Sequence, residues 1–221
     1  MSSSPKDKIL QRIRLAQKSL NQPQSIPEIN VDSYLNDWQK ELNLCDLFKQ
    51  NFEQLLGSFF SCTSQNEFNT CLFEIIHKNH WYEIFTPEKK IEFYLNQLNK
   101  STFNITHSLS DCDVSFTTCE YAIARTGTIV LSSALSLGRT SSVFAPNHIC
   151  ILHPDQFLKD ETTALNFLSQ KYPAGWPSSV SFATGPSRTA DIEKTLVVGV
   201  HGPKTVGVIL LEPNVYETVC K

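Results

Sequence analysis

The chain has 221 residues, of which 41% are hydrophobic, so it is long enough for one full core but short for two domains of ordinary size. Its formal net charge of -3 provides no long-range positive field that would attract nucleic acid, so we expect no nucleic-acid binding. Its polar start predicts no signal peptide, and no segment approaches the roughly 18 apolar residues of a membrane span. We therefore expect a cytoplasmic protein.

The first 45 residues are predicted to form a helical arm and a linker. Apolar residues recur at helical spacing at Ile9, Ile13, Ala16 and Leu20. The segment from Gln22 to Asp37 then carries two prolines and little periodicity. We expect residues 1–45 to form this extension and residues 46–221 to form one α/β domain.

Two amphipathic helices are predicted to open that domain. Their apolar positions are Phe48, Phe52, Leu55, Leu56 and Phe59 in the first, and Phe68, Cys71, Leu72, Ile75 and Ile76 in the second. This spacing places each set on one face of a helix. Both helices should therefore cover a core.

Short β-rich runs and helical stretches alternate over the rest of the chain. Helices are predicted over Ile91–Leu98, Leu158–Leu168 and Ala190–Val197. Strands are predicted at WYEIF from Trp81, TFNIT from Thr102, DVSFT from Asp113, TIVLS from Thr128, ICIL from Ile149, SVSFAT from Ser179 and VGVILL from Val206. Because parallel neighbours need crossover connections, this alternation predicts an α/β fold with a mainly parallel sheet. The near-continuous apolar VGVILL favours a sheet covered on both faces.

The seven cysteines predict reduced thiols rather than disulfides or a metal centre. They are odd in number and contain no CxxC pair. His148 and Cys150 form only an isolated HxC, and Cys112 and Cys119 are too far apart for the short ligand loops of zinc sites. No cysteine cluster for an iron–sulfur centre is present, so we expect no metal and no resident cofactor.

A first candidate ligand segment is the TGT of Thr126, Gly127 and Thr128, between a predicted helical turn and a strand. Gly127 would allow a positive φ or a close approach of the backbone to a ligand. The flanking hydroxyls could hold that ligand or simply tie the turn to itself. Both interpretations stay open on these residues.

A second candidate segment leaves a strand and is predicted to enter a helix near Ala190. Its members are Thr184, Gly185, Pro186, Ser187, Arg188 and Thr189. Free N–H groups at the helix start, hydroxyls and one guanidinium could bind a carboxylate or a phosphate, although Asp191 and Glu193 would compete there. Alternatively, Thr189 or Ser187 caps the helix and Arg188 pairs with a nearby acid.

Two histidines complete the candidate site. His201 and Gly202 lie in a turn just before a strand, and His148 directly precedes ICIL. Each imidazole could act as acid, base or hydrogen-bond donor, or could have a structural role. Because ligands bind beyond the carboxyl ends of parallel strands, we expect the turns at Gly127, Gly185 and Gly202 to converge at one rim of the sheet as an anion-binding pocket.

The same segments resemble the lactate-utilization protein C family, the LUD domain. The matching residues are DVSFTTCEYAIARTGTIVLSS from Asp113, PNHICIL from Pro146, TGPSRTADIEKTLVVGVHGP from Thr184 and, more weakly, DKILQRIRLAQKSL from Asp7. The resemblance implies a three-layer α/β fold similar to the NagB/RpiA/CoA-transferase superfamily. It also implies an accessory role in oxidising L-lactate to pyruvate, beside iron–sulfur partner proteins.

Arg125 departs from the family pattern, because family members usually carry an acidic residue before TGT. If its side chain faces the ligand, Arg125 should favour a carboxylate. Catalytic residues are not assigned by the resemblance. Two other functions remain open: a stand-alone enzyme that acts on a small anionic, phosphorylated or CoA-linked substrate, and a structural scaffold without a pocket.

Overall fold

The computed structural model describes residues 5–19, 43–98, 102–135, 140–192, 195–199 and 201–220. The chain forms two compact units, residues 1–41 and 42–221. In the first unit, helix α1 spans Pro5–Ser19, so the predicted arm is helical there. The predicted linker from Gln22 to Asp37 lies outside the described residues, and the boundary at residue 45 stays a prediction.

The second unit alternates helices and strands. In chain order its elements are α2 (Leu44–Gln54), β1 (Ser58–Cys62), α3 (Gln65–Asn79), β2 (Glu83–Phe85), α4 (Lys89–Gln97), β3 (Asn104–Thr106), β4 (Val114–Thr118), β5 (Tyr121–Ile123), β6 (Thr128–Ser132), β7 (Asn147–Leu152), β8 (Phe157–Leu158), α5 (Glu161–Lys171), β9 (Val180–Ala183), β10 (Arg188–Ile192), β11 (Thr195–Val198), β12 (Thr205–Leu211) and α6 (Pro213–Cys220). A short 3₁₀ helix at Pro154–Gln156 precedes β8.

A six-stranded parallel sheet forms the centre of this unit, in the order β1-β12-β7-β4-β2-β3. The predicted mixed α/β fold with a mainly parallel sheet is therefore confirmed. Val206 to Leu211 of β12 are all buried, as their apolar run predicts for a strand covered on both faces.

Helices α3, α4 and α6 cover one face of the parallel sheet. Their buried side chains include Phe68, Leu72, Ile91, Leu95 and Val219, which pack in one core with Phe116 and Ile151 of the sheet. Helix α3 begins where the side chain of Ser64 accepts a hydrogen bond from the backbone N–H of Glu67 at 3.2 Å. It ends at His80, whose φ of 55° is left-handed.

Helix α2 and a second sheet cover the opposite face. This four-stranded sheet has the order β8-β5-β6-β9, and β5 and β6 form an antiparallel hairpin. Phe48 and Phe52 of α2 are fully buried against both sheets. Helix α5 packs on the far side of the small sheet through Ala164 and Leu168.

The predicted helix from Phe48 to Phe59 is too long, because α2 ends at Gln54 and Phe59 lies in β1. Leu56 has a φ of 67°, which a helix cannot continue. A Cβ atom on Gly57 would overlap the ring of Phe52, so glycine leaves the space that this buried ring occupies. The helical spacing of the apolar residues continues through this turn into β1, although the helix itself ends before the turn.

The predicted helix over Ala190–Val197 is wrong, since this segment forms the antiparallel pair β10 and β11. Its β-branched residues Thr189, Ile192 and Thr195 favour strands over helices. The predicted helical turn before Thr126 is also wrong: Tyr121–Ile123 is strand β5, and Thr126 to Thr128 close a hairpin. In the described part of the chain, no helix has the length and apolar character needed to cross a membrane.

Candidate ligand site at the end of helix α2

Two glycine turns pack against the carboxyl-terminal end of α2. Gly127 has a φ of 59°, and a Cβ atom there would lie 2.5 Å from the backbone N of Phe52. Gly185 has a φ of 73°, and a Cβ atom there would lie 2.7 Å from the carbonyl oxygen of Leu55. Both positions therefore need glycine for conformation and for space. The two predicted segments meet at the end of this helix.

Asn51 fastens the β5–β6 turn to α2. Its side-chain Nδ2 donates hydrogen bonds to the carbonyl oxygens of Ala124 at 2.8 Å and Arg125 at 3.0 Å. Two carbonyl groups next to Gly127 are thus satisfied by one side chain. The TGT turn is held by α2 rather than by its own hydroxyls alone.

Three threonine hydroxyls connect the two segments. Thr126 Oγ1 donates to Glu161 Oε1 at 3.0 Å and lies 2.8 Å from Thr128 Oγ1, which lies 2.8 Å from Thr184 Oγ1. Each hydroxyl has one proton, so Thr128 must donate to Thr126 and Thr184 to Thr128. Among the described residues, no group then donates a hydrogen bond to the Thr184 hydroxyl, so its lone pairs are open to a ligand. It can accept a hydrogen bond from a ligand, but it has no proton free to donate.

Arg188 is already partly engaged by the helix. Its guanidinium donates to the carbonyl oxygen of Leu55, at the negative end of the α2 dipole. The helix that was predicted after Thr189 does not exist, so its N-terminal N–H groups cannot bind an anion. An anionic ligand would have to share Arg188 with Leu55.

The third predicted turn also reaches this region. A Cβ atom on Gly202 would lie 2.9 Å from Cβ of Ser187, whose N–H donates to Pro203 at 3.0 Å. Gly202 precedes β12, and Leu55 precedes β1, so the three turns lie at the amino edge of the parallel sheet. The turns therefore do not lie at the expected carboxyl edge, and ligand binding at them stays a prediction.

The other residues of the TGPSRT and HGP segments differ in exposure. Pro186 is buried, Thr189 is half-buried, and His201 is exposed. Thr189 lies in β10, opposite Val197 of β11. Ligand contacts by these residues stay a prediction.

Arg125 points to helix α5. It forms an ion pair with Glu161, the first residue of that helix, and their side chains are 42% and 31% exposed. Burial opposes ionisation of Glu161, but hydrogen bonds from Arg125 and Thr126 lower its pKa on balance. The positive charge of Arg125 is thus paired locally with the carboxylate of Glu161.

His148 lies inside the molecule. It is 1% exposed on β7, and its Nε2 lies 2.8 Å from Thr117 Oγ1. Burial lowers its pKa from 6.5 to about 4, so the imidazole is neutral near pH 7. The neighbouring Ser115 has a buried Oγ that finds no hydrogen-bond partner among the described residues. His148 and His201 therefore lie in different environments.

Sequence reasoning missed a buried carboxylate at the other end of the β5–β6 hairpin. The fully buried side chain of Glu120 accepts hydrogen bonds from Ser132 Oγ, from Lys171 Nζ at 2.6 Å and from Tyr172 OH at 2.5 Å. Burial alone would lower the pKa of Lys171, but Glu120 raises it on balance. No local pattern joins these four positions. Three donors, two on Oε1 and one on Oε2, compensate the buried carboxylate, which favours a structural role.

A second carboxylate lies beyond the carboxyl ends of β2 and β4. Glu88 accepts hydrogen bonds from the N–H of Thr118 at 2.6 Å and from its Oγ1 at 2.9 Å. Burial raises the pKa of Glu88 despite these two donors. Within the described ranges, no group of three or more His, Cys, Asp or Glu residues could hold a metal ion.

The chain is similar to curated proteins that share this name: Lactate utilization protein C. The protein from Geobacillus is 32% identical over 128 residues, which are 57% of this chain and 51% of that protein. The protein from Bacillus subtilis is 38% identical over 101 residues, which are 45% of this chain and 42% of that protein. The chain thus spans about half the length of the curated relatives it matches.

The fold is similar to a crystal structure of a DUF162 family protein from Deinococcus radiodurans. The TM-score is 0.52 at 18% identity, and the match covers 77% of this chain and 99% of that one. The sequence profile of the LUD domain matches residues 45–211, which is more than half of the chain. The chain therefore belongs to the LUD domain family.

Proposed function

We propose that this protein acts in lactate utilisation, as an accessory component of the oxidation of L-lactate to pyruvate. The observation that carries this proposal is the 32% and 38% identity to two proteins named Lactate utilization protein C. The matched stretches cover only about half of those proteins. The assignment of those proteins' activity to this chain is therefore itself part of the proposal. Iron–sulfur partner proteins would accept the two electrons that lactate loses.

The chemistry at the end of α2 supports a 2-hydroxycarboxylate as the ligand. The Thr184 hydroxyl has lone pairs available, which suits the hydroxyl proton of lactate. The Arg188 guanidinium has five N–H groups in all, so it can bind a carboxylate while it donates to Leu55. Thr184 and Arg188 are both exposed. In this proposal Thr184 binds the hydroxyl and Arg188 binds the adjacent carboxylate of one small ligand.

The proposal includes a cytoplasmic location. All seven cysteines, which lie within the described residues, are free thiols. Free thiols are usual where glutathione and thioredoxin keep cysteines reduced. Fractionation of cells into soluble, membrane and secreted material would test this part separately.

The main experiment is a clean deletion in the source organism, combined with affinity purification of the tagged full chain from cells grown on L-lactate. We expect slow growth on lactate, normal growth on glucose, and recovery of proteins that contain iron and acid-labile sulfide. Purification from glucose-grown cells is the control. Normal growth of the deletion strain on lactate, with recovery of the chain alone, would contradict the proposal.

A stand-alone enzyme with a small anionic substrate is less well supported. The helix N-terminus on which that hypothesis relied is absent, and Arg125 is neutralised by Glu161. Thermal-shift measurements on the full chain with lactate, pyruvate, inorganic phosphate and coenzyme A distinguish the two. Stabilisation by phosphate or coenzyme A but not by lactate would favour the enzyme.

A further inference from the structure

Two cysteines that play no part in the proposed lactate site share one surface cavity. Cys62 is the last residue of β1, and Cys71 lies in α3. Both line a cavity of about 350 Å³, together with Asn66, Glu67 and Thr70. This cavity lies at the carboxyl end of β1, whereas the end of α2 lies at its amino end. The two regions are therefore separated by the length of the strand.

The two cysteines belong to one group of packed side chains. Cys62 is part of the core cluster that covers the parallel sheet, Cys71 packs against that cluster, and both line the same cavity. Hydrogen bonding with Cys71 lowers the pKa of Cys62 although burial opposes this, and the same interaction, with burial second, raises the pKa of Cys71. Cys62 is therefore the thiol that ionises first. The pair has one nucleophile and one thiol that keeps its proton.

The charged groups beside the two thiols are carboxylates. Cys62 lies two residues before Ser64, the N-cap of the 15-residue helix α3. Glu67 raises the pKa of Cys62, and Glu74 raises that of Cys71. The carboxylate of Glu67 is turned to Thr63, from which it accepts two hydrogen bonds of 2.8 Å. The thiol contact therefore decides which cysteine ionises.

We propose that Cys62 and Cys71 form a peroxide-responsive dithiol that closes reversibly into an intramolecular disulfide. The Cys62 thiolate attacks the terminal oxygen of a hydroperoxide and the O–O bond breaks, so that Cys62 becomes a sulfenic acid and the leaving alkoxide or hydroxide takes a proton from solvent. The Cys71 sulfur then attacks the Cys62 sulfur, the S–O bond breaks, and the hydroxide that leaves takes the proton of Cys71 and departs as water. Two thiols are oxidised by two electrons, and the hydroperoxide is reduced by two. A dithiol reductant reverses the reaction.

A second pair of cysteines, Cys119 and Cys150, can be compared with Cys62 and Cys71 in the same molecule. Cys119 and Cys150 also lie together in one core cluster, but they are only 2% and 0% exposed and neither lines this cavity. Cys62 is 2% exposed as well, but it borders the cavity beside the half-buried Cys71. Access, rather than thiol contact, should therefore separate the two pairs.

The test uses the reduced full chain, hydrogen peroxide and peptide mapping without reductant. Cys62 and Cys71 are the only cysteines in the tryptic peptide of residues 50–78, so a disulfide lowers its mass by two hydrogens. We expect this change at least about tenfold faster than any oxidation of Cys45 or of the Cys119–Cys150 pair. Reduction by dithiothreitol should reverse it.

Single variants separate the two steps. Cys71→Ser should trap the sulfenic acid at Cys62, which dimedone labels, and Cys62→Ser should abolish labelling at both positions. Cys45→Ser is the matched control and should leave the disulfide unchanged. Oxidation of residues 50–78 no faster than at Cys45, or dimedone labelling at Cys71 instead of Cys62, would overturn the proposal. A lactate-growth defect plays no part in these readouts, so this proposal and the proposed function can fail independently.

Discussion

At the amino edge of the parallel sheet, around the end of α2, the contacts are made by glycine backbones, hydroxyls and Arg188. At the carboxyl edge they are made by partly or fully buried carboxylates and thiols, such as the half-buried Glu88 and the Cys62–Cys71 pair. The β5–β6 hairpin reaches from one type of environment to the other, with Gly127 at one end and Glu120 at the opposite end. The stability of the amino edge therefore depends on close backbone packing. The stability of the carboxyl edge depends on hydrogen bonds that satisfy its polar groups.

The largest loss of stability should come from adding a side chain at the amino edge. Gly127→Val places a β-branched residue at a φ of 59° against the backbone of Phe52, so we expect the free energy of unfolding to fall by about 4 kcal/mol. Denaturant titration measures this. Gly175→Val is the control, because Gly175 also has a positive φ but has open space around it. Equal losses at both glycines would show that packing against α2 is unimportant.

Removal of the buried carboxylate should have the next largest effect. Glu120→Ala leaves Ser132, Lys171 and Tyr172 without their common acceptor, so we expect a loss of about 3 kcal/mol. Glu120→Gln keeps one acceptor oxygen and should lose less. Denaturant titrations of the three proteins test this, and wild-type stability of Glu120→Ala would exclude a structural role for the carboxylate.

The buried imidazole predicts a pH dependence of stability. The pKa of His148 is about 4 when folded, against 6.5 as its ordinary value, so the unfolded chain binds more protons between these limits. Stability should therefore fall as the pH decreases through this window, by about 2 kcal/mol from pH 7 to pH 5 for this group. His148→Gln should lose that component of the slope. The same slope in both proteins would contradict a buried neutral histidine.

The exposed ion pair should contribute least. Arg125 and Glu161 are both partly hydrated, so we expect a coupling free energy of about 0.5 kcal/mol. A double-mutant cycle with Arg125→Ala and Glu161→Ala measures it. Thr126 also donates a hydrogen bond to Glu161, so Thr126→Val measures how much of the effect of Glu161→Ala comes from that hydroxyl. A coupling above about 2 kcal/mol would mean that this pair is far less hydrated than its exposure indicates.

The sequence predicted the parallel sheet well because its strands are short apolar runs that are separated by residues typical of turns. It also predicted the glycine turns, since Gly127 and Gly185 lie in contiguous motifs. It failed where periodicity was ambiguous: the apolar spacing of α2 continues into β1, and β10 and β11 were mistaken for a helix. The decisive signal for that hairpin was its β-branched composition rather than its spacing.

The position of the candidate site could not be predicted from local patterns. Asn51 reaches the carbonyl of Ala124, and Arg188 reaches that of Leu55, only because α2 packs against the small sheet. The partners of Glu120 lie 12, 51 and 52 residues away from it. Similarly, the spacing of nine residues from Cys62 to Cys71 matches no familiar motif, and only the packing of α3 beside β1 brings the thiols together.

The most direct test of the central claim is complementation. The deletion strain receives variants of each edge, and its growth on L-lactate is measured. Thr184→Val and Arg188→Ala change the amino edge, while Cys71→Ser changes the carboxyl edge; immunoblots confirm equal amounts of each protein. We predict slow growth with the two amino-edge variants and wild-type growth with Cys71→Ser. Wild-type growth with Thr184→Val and Arg188→Ala would contradict a lactate-related site at the end of α2.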